Sequence, residues 1–208
     1  GAALAPMKLV IQRVTRASVV ADGVETGRIG SGLVLLLGIE RGDALEQAEH
    51  LAVKVAKLKL WPDVKDGSKQ WASSIKDNGY MLLVISQFTL FATFKKPKPD
   101  FHQAMGGDEA KALYEAFLKR VRAEVGADKV QTGVFGAMMQ VDLTNDGPVT
   151  VELVAAPSTP PAGAAANGAA AKEASPKAPQ AAASESPVEG QGVGAEAAAP
   201  SEPVEPAA

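Results

Sequence analysis

Apolar and polar residues change their period several times along this chain, and each change predicts an element. Met7 to Thr15 alternates in part and predicts a strand. Ala17 to Asp22 and Val24 to Ile29 flank Asp22-Gly23, a pair suited to a type I′ turn, so this stretch predicts a hairpin. Gly32 to Ile39 is almost wholly apolar, with a glycine near each end, and predicts a buried strand. Asp43 then opens a helix, with Glu46 where a capping-box acid belongs. Leu51, Val55 and Leu58 share its apolar face, away from Lys54 and Lys57. Trp61-Pro62 marks its end, since the residue before proline disfavours the α region.

Asp63 to Asp77 reads as a loop or short hairpin around Asp66-Gly67, and Tyr80 to Leu90 as a central strand. Phe94 to Gly107 has no period. Asp108 to Val125 repeats Leu113, Phe117 and Val121 at helical spacing and stops at Gly126. Lys129 to Thr132, Gly136 to Thr144 and Val149 to Val154 read as closing strands. Many strands and two main helices predict an α+β domain with a curved, barrel-like sheet.

Composition divides the chain into three. Gly1 to Pro6 reads as a scar or short extension before Met7, residues 7–156 as one domain, and residues 157–208 as an Ala/Pro-rich tail. The last segment holds 18 Ala and 9 Pro but no aromatic residue, Leu, Ile or Met. Too little apolar surface is available there to offset the entropy of ordering, so it is expected to be disordered. Deleting it should leave the melting temperature within a degree or so; thermal melts check this. The tail carries a net charge of −4 and the domain +1, so the acidic chain conceals a nearly neutral domain. Contact with nucleic acid therefore needs a local basic patch, and Lys95, Lys96 and Lys98 supply the best one. The chain has no cysteine, hence no disulfide, thiol nucleophile or cysteine-based zinc site. No run of about 20 apolar residues suits a membrane span, and the cytosol is the expected compartment.

Ionisable catalysts are scarce. His50 falls within a helix, where a surface role is expected, and His102 follows Phe101 in the aperiodic stretch without a spaced carboxylate. No His/Asp/Glu spacing suggests a metal site. Ser86 and Thr89 are hydroxyl candidates at the end of an apolar strand, but an activated hydroxyl needs an adjacent base and the sequence shows none.

Five segments carry a resemblance. Ser86-Gln87-Phe88-Thr89-Leu90 and Asn145-Asp146-Gly147-Pro148-Val149-Thr150 resemble the signature pair of the D-aminoacyl-tRNA deacylases. Met7 to Val14 with Arg16 to Val19 resembles the family's first strand, and Phe135 to Val141 a further family segment. Lys98-Pro99-Asp100-Phe101-His102 looks like its eukaryotic branch. The likeness runs from about Met7 to Val154 in the family's order.

The resemblance implies a homodimer, without metal or cofactor, that hydrolyses the ester between a D-amino acid and the 3′ end of tRNA. It implies an oxyanion hole from the N–H groups of Phe88 and Thr89 in the segment Ser86, Gln87, Phe88 and Thr89. One such donor is typically worth ~3 kcal/mol. The general base is expected from the RNA itself, through the 2′-hydroxyl beside the ester. Gly147 and Pro148 are implied to form a cis step that reaches the partner subunit's pocket and excludes L side chains, braced by Arg13. Glycyl-tRNA is a possible further substrate of such a gate. Met139 and Phe88 are implied to pack on the terminal adenine. The competing readings are a noncatalytic nucleic-acid-binding protein on the same scaffold, and a related editor with another amino-acid preference. The tail's partner is unknown.

Overall fold

A computed structural model describes residues Met7 to Ala155. The chain falls into two units, Gly1–Ser175 and Pro176–Ala208, and every described residue belongs to the first. Both the expected extension at residues 1–6 and the expected tail lie outside the described residues. The order is β1 (Met7–Ala21), β2 (Val24–Ile29), β3 (Gly32–Gly38), α1 (Leu45–Lys57), β4 (Lys59–Trp61), β5 (Ser73–Ser74), α2 (Ile75–Asn78), β6 (Met81–Ser86), α3 (Gly107–Val125), β7 (Val130–Thr132) and β8 (Met139–Ala155). Two 3₁₀ turns, Phe88–Phe91 and Ala127–Lys129, join them.

The main sheet runs β2-β1-β3-β6-β7, with β8 on the other side of β1. The β1–β2 turn is set by Asp22 and Gly23, both at positive φ as a type I′ turn requires. Gly27 of β2 lies so close to β7 that an added Cβ would stand 2.9 Å from the Thr132 carbonyl oxygen. That approach nearly closes the sheet into a barrel.

Alternation along the strands divides the core. Leu33, Leu35 and Leu37 of β3 and Leu82 and Val84 of β6 meet Leu51 and Val55 of α1 and Phe117 and Val121 of α3. The intervening Val34, Leu83 and Ile85 point the other way, to Val14, Val19 and Ile29 in the barrel interior. β1 serves both clusters by slipping register. Val14 pairs Asn145 and Arg16 pairs Thr144, so Thr15 is an extra residue. The bulge moves Ala17 and Val19 to the side of Val14.

Several expectations need correction. The first helix has Ala44, not Asp43, at its N-cap, and Gln47, not Glu46, reaches back to the Ala44 N–H at 2.6 Å. Asp43 instead accepts from the Met7 and Glu40 N–H groups and the Gln47 amide, tying β1 to α1. That helix stops at Lys57, because buried Leu60 and Trp61 are drawn into β4 against Ser73–Ser74. The predicted strand to Leu90 ends at Ser86; Gln87 N–H turns to the Leu37 carbonyl and Phe88–Phe91 coils as 3₁₀. The two last predicted strands are one, β8. A third helix, the single turn α2, was not foreseen; Ser74 caps it.

Asp43 and Glu40 are both buried, and burial raises the carboxyls of both above their ordinary values of 3.8 and 4.5. For Glu40 the neighbouring Asp43 adds to the rise and Lys8 opposes it; for Asp43 the three hydrogen bonds oppose it. A raised acid binds its proton more tightly in the folded state. Its stability contribution is therefore present below pH 4 and lost as pH climbs through the raised native value. Because Glu40 Oε2 also lacks a hydrogen-bond partner, Glu40→Gln should raise the melting temperature at pH 7 and change it less at pH 4. Melts at the two pH values check this.

Candidate active site

The end of β6 and the 3₁₀ turn after it build the first half of the site. Ser86 and Gln87 are half-buried, whereas Phe88 and Thr89 are exposed. A cleft lies against Ser86, Gln87 and Phe88, floored by Leu37 of β3 and Ile39 just beyond it, and closed by Met105, Ala110 and Phe135. None of these lining side chains ionises near neutral pH. The first N–H groups of a helical turn have no acceptor within it. Accordingly, no hydrogen bond engages the N–H of Phe88 or Thr89 among the described residues, while Leu90 N–H returns to the Gln87 carbonyl at 3.3 Å. The Gln87 side-chain amide donates to the Thr89 hydroxyl oxygen. Phe88 packs edge-on against Phe101, with centroids 5.0 Å apart.

The turn is forced by close packing beneath it. A Cβ on Gly38 would sit 3.0 Å from the Leu90 Cβ and from the Phe91 ring. Only the missing side chain lets the 3₁₀ turn lie down on β3.

The second half is an excursion in β8. Gln12 pairs Thr150, yet Val14 pairs Asn145, so the four residues Asp146 to Val149 stand opposite Arg13 alone. Gly147 takes φ +67, a conformation that favours glycine. Gly147 and Pro148 are exposed. Beneath them Arg13, 15% exposed at its side chain, donates through Nε to the Asp146 carbonyl oxygen at 3.1 Å, and the same nitrogen lies 3.1 Å from the Asp146 carboxylate. Its Nη1 donates to the Leu60 carbonyl. The expected cis step is absent: among the described residues no peptide bond is cis, and Gly147–Pro148 is trans. The trans form is intrinsically favoured at X-Pro by roughly 0.5–1 kcal/mol, and the extra length of the excursion lets the chain reverse without it.

The structure places the remaining candidates less closely. Met139 lies away from the Ser86–Phe88 cleft, in a depression with Val20, Asp22 and Gly23, and its sulfur covers Gly133. Phe135 from the same segment is the residue that reaches the cleft. Lys95, Lys96 and Lys98 are exposed on the loop after the 3₁₀ turn, and His50 is exposed on α1. His102 does have a carboxylate: its Nδ1 lies 3.0 Å from Asp100, whose carboxyl is held below the usual range mainly by the His102 N–H. Both side chains are more than half exposed.

Sequence reasoning missed Leu60 and Trp71. Trp71 is 57% exposed, takes φ +58, and holds its ring 6.0 Å from the Arg13 guanidinium carbon. Only folding brings this loop residue to Arg13, so no sequence signal marks it.

This barrel-like α+β domain carries unengaged backbone donors beside an apolar cleft, an arrangement able to accept developing negative charge. Residues 10–154 match the family described as D-Tyr-tRNA(Tyr) deacylase, and the chain belongs to that family. It is 48% identical over 148 residues to a D-aminoacyl-tRNA deacylase of Yarrowia lipolytica, covering 70% of this chain and 96% of that protein. It is 44% identical over 147 residues to D-aminoacyl-tRNA deacylase 1 of Homo sapiens, covering 71% and 69%. Among solved structures, one named c-Myc DNA Unwinding Element Binding Protein is 43% identical, with a TM-score of 0.66 over 70% of this chain and 97% of that one. Another, described as a probable eukaryotic D-amino acid tRNA deacylase, shares the fold at 19% identity and a TM-score of 0.61, covering 71% and 98%.

Proposed function

We propose that this protein hydrolyses the ester of D-aminoacyl-tRNA, with the cleft at Ser86–Thr89 holding the reacting carbonyl. The observation that carries this reading is the pair of unengaged N–H groups of Phe88, which lines a cleft without an ionisable side chain, and of Thr89 next to it. Water attacks the ester carbonyl, the carbonyl oxygen becomes an oxyanion between those donors, and the bond to the ribose 3′ oxygen breaks. The neighbouring 2′-hydroxyl relays the proton: it accepts the water's proton and passes its own to the departing 3′ oxygen. Lys95, Lys96 and Lys98 meet the RNA, and the reaction belongs to translational proofreading in the cytoplasm. Phe88, which stands at the cleft, is the proposed contact for the terminal adenosine.

The protein acts as a homodimer in this reading. Gly147–Pro148 lies opposite Arg13, whose register partner Leu33 pairs Leu82, four residues before Ser86. Within one chain that separation is roughly 13 Å along β6 and ~14 Å across three strand spacings. Neither half completes the other, and the long β8 has no strand on its outer edge among the described residues. A second copy bound there supplies each cleft with a Gly147–Pro148 segment. Main-chain carbonyls of that segment hold the α-ammonium, leaving room for a D side chain and none for an L side chain.

The test is ester loss from D-tyrosyl-, L-tyrosyl- and glycyl-tRNA. Rapid loss of the D ester with the L ester retained supports the reading; no hydrolysis of the D ester sinks it. A second reading, an editor with another amino-acid preference, draws on the trans Gly147–Pro148 bond. Faster loss of an L or glycyl ester would favour it.

Thr89→Ala should keep at least about a third of the deacylation rate, because its backbone N–H survives and no base stands beside its hydroxyl. Mass spectrometry that trapped an aminoacyl ester on Thr89 would contradict this.

A further inference from the structure

We propose that the loop from Phe94 to Pro99 is a binding site for the unpaired 3′ strand of the RNA, with Phe94 as a platform for a base. The inference rests on the proposed deacylase reading and adds a residue and a nucleic-acid form to it.

The loop is a closed, outward hairpin. Thr93 and Asp100 exchange both backbone hydrogen bonds, at 2.8 and 2.9 Å. Asp100 is held in turn by the His102 N–H at 2.9 Å. Between these stems every residue is exposed, including Phe94 at 67%. Lys95, Lys96 and Lys98 have no carboxylate within ion-pair distance among the described residues. An exposed phenylalanine ring among free lysines gives up apolar burial with no gain inside the protein.

Both stems lead to the cleft. On one side Ala92 N–H bonds the Thr89 carbonyl; on the other, Phe101 packs on Phe88, and Met105, a cleft residue, bonds the Ile39 carbonyl. A strand leaving an adenosine at Phe88 therefore meets this loop first. Six residues folded back on themselves reach about 10 Å, or roughly three stacked nucleotides at 3.4 Å each. Aromatic platforms with lysines suit single strands, because duplex bases already hide their faces on one another.

The experiment compares D-tyrosyl esters of intact tRNA, of the trinucleotide CCA and of adenosine alone. The proteins are wild type, Phe94→Ala, Phe94→Trp and the triple variant Lys95→Gln/Lys96→Gln/Lys98→Gln. Phe94→Ala should lower kcat/KM by about tenfold or more on tRNA and CCA, chiefly through KM, and by far less on adenosine. Phe94→Trp should restore it. The triple variant should flatten the salt dependence on CCA by a slope of up to about 1.4, about 0.7 for each of its two phosphates. Equal losses on all three substrates, or losses on tRNA but not CCA, would overturn the proposal. So would a loop that binds anionic phospholipid vesicles while its variants treat RNA as wild type does. Binding of uncharged CCA to wild type and Phe94→Ala separates the two failures: lost binding supports the loop even if no ester is cleaved, and equal binding refutes it.

Discussion

Arg13→Ala is expected to lower kcat/KM for D-tyrosyl-tRNA on the order of 100-fold. The guanidinium engages the Asp146 carbonyl, the Asp146 carboxylate and the Leu60 carbonyl from a largely buried position. Removing such a group leaves these oxygens without their donor, at a cost of ~2–4 kcal/mol, and frees the four residues Asp146 to Val149 of β8 to move. Arg13 touches no reacting atom in this account, so it is a positioning residue. Arg13→Lys should fail nearly as badly, since one ammonium cannot serve a fork of acceptors. The variant should elute on gel filtration as the wild type does, and its ratio of D to L ester hydrolysis should fall. An unchanged rate with an unchanged ratio would refute the role.

Gly32→Ala is expected to cost more than about 3 kcal/mol of stability, lowering Tm by roughly 10 °C, or to prevent folding. A Cβ on Gly32 would stand 1.9 Å from the Met81 carbonyl oxygen and 2.8 Å from its carbonyl carbon. Those atoms are backbone at the start of β6, where Gly32 pairs Met81 in the parallel ladder. They can yield only by separating β3 from β6, and that ladder carries Ser86 to the cleft. Gly30→Ala is the matched control, since nothing lies within 4 Å of its added Cβ. Thermal melts of the two variants decide the matter; equal Tm values would contradict the argument.

Local pattern was a good guide where an element is set by its own residues. The Asp22-Gly23 turn, the all-apolar β3, the start of β6 and the helix to Val125 were legible because turn chemistry and helical period act over a few positions. The resemblance placed the family correctly. The end of the first helix was not legible, because burial of Leu60 and Trp61 in β4 outweighs the helical tendency of their neighbours. Nor was the end of β6: Gly38, three strands' worth of sequence away, gives the 3₁₀ turn its seat.

The sequence by itself determined the α+β character, the division of composition near Pro157, the scarcity of ionisable catalysts and the two segments to examine. Those properties reside in residue types and short spacings. Tertiary structure alone decided that β8 is one strand with an excursion over Arg13, that Leu60 and Trp71 meet that arginine, that Phe135 rather than Met139 closes the cleft, and that Gly147–Pro148 is trans. Each depends on the register between strands far apart in the chain. Register follows from the fit of the whole sheet, which no short window contains.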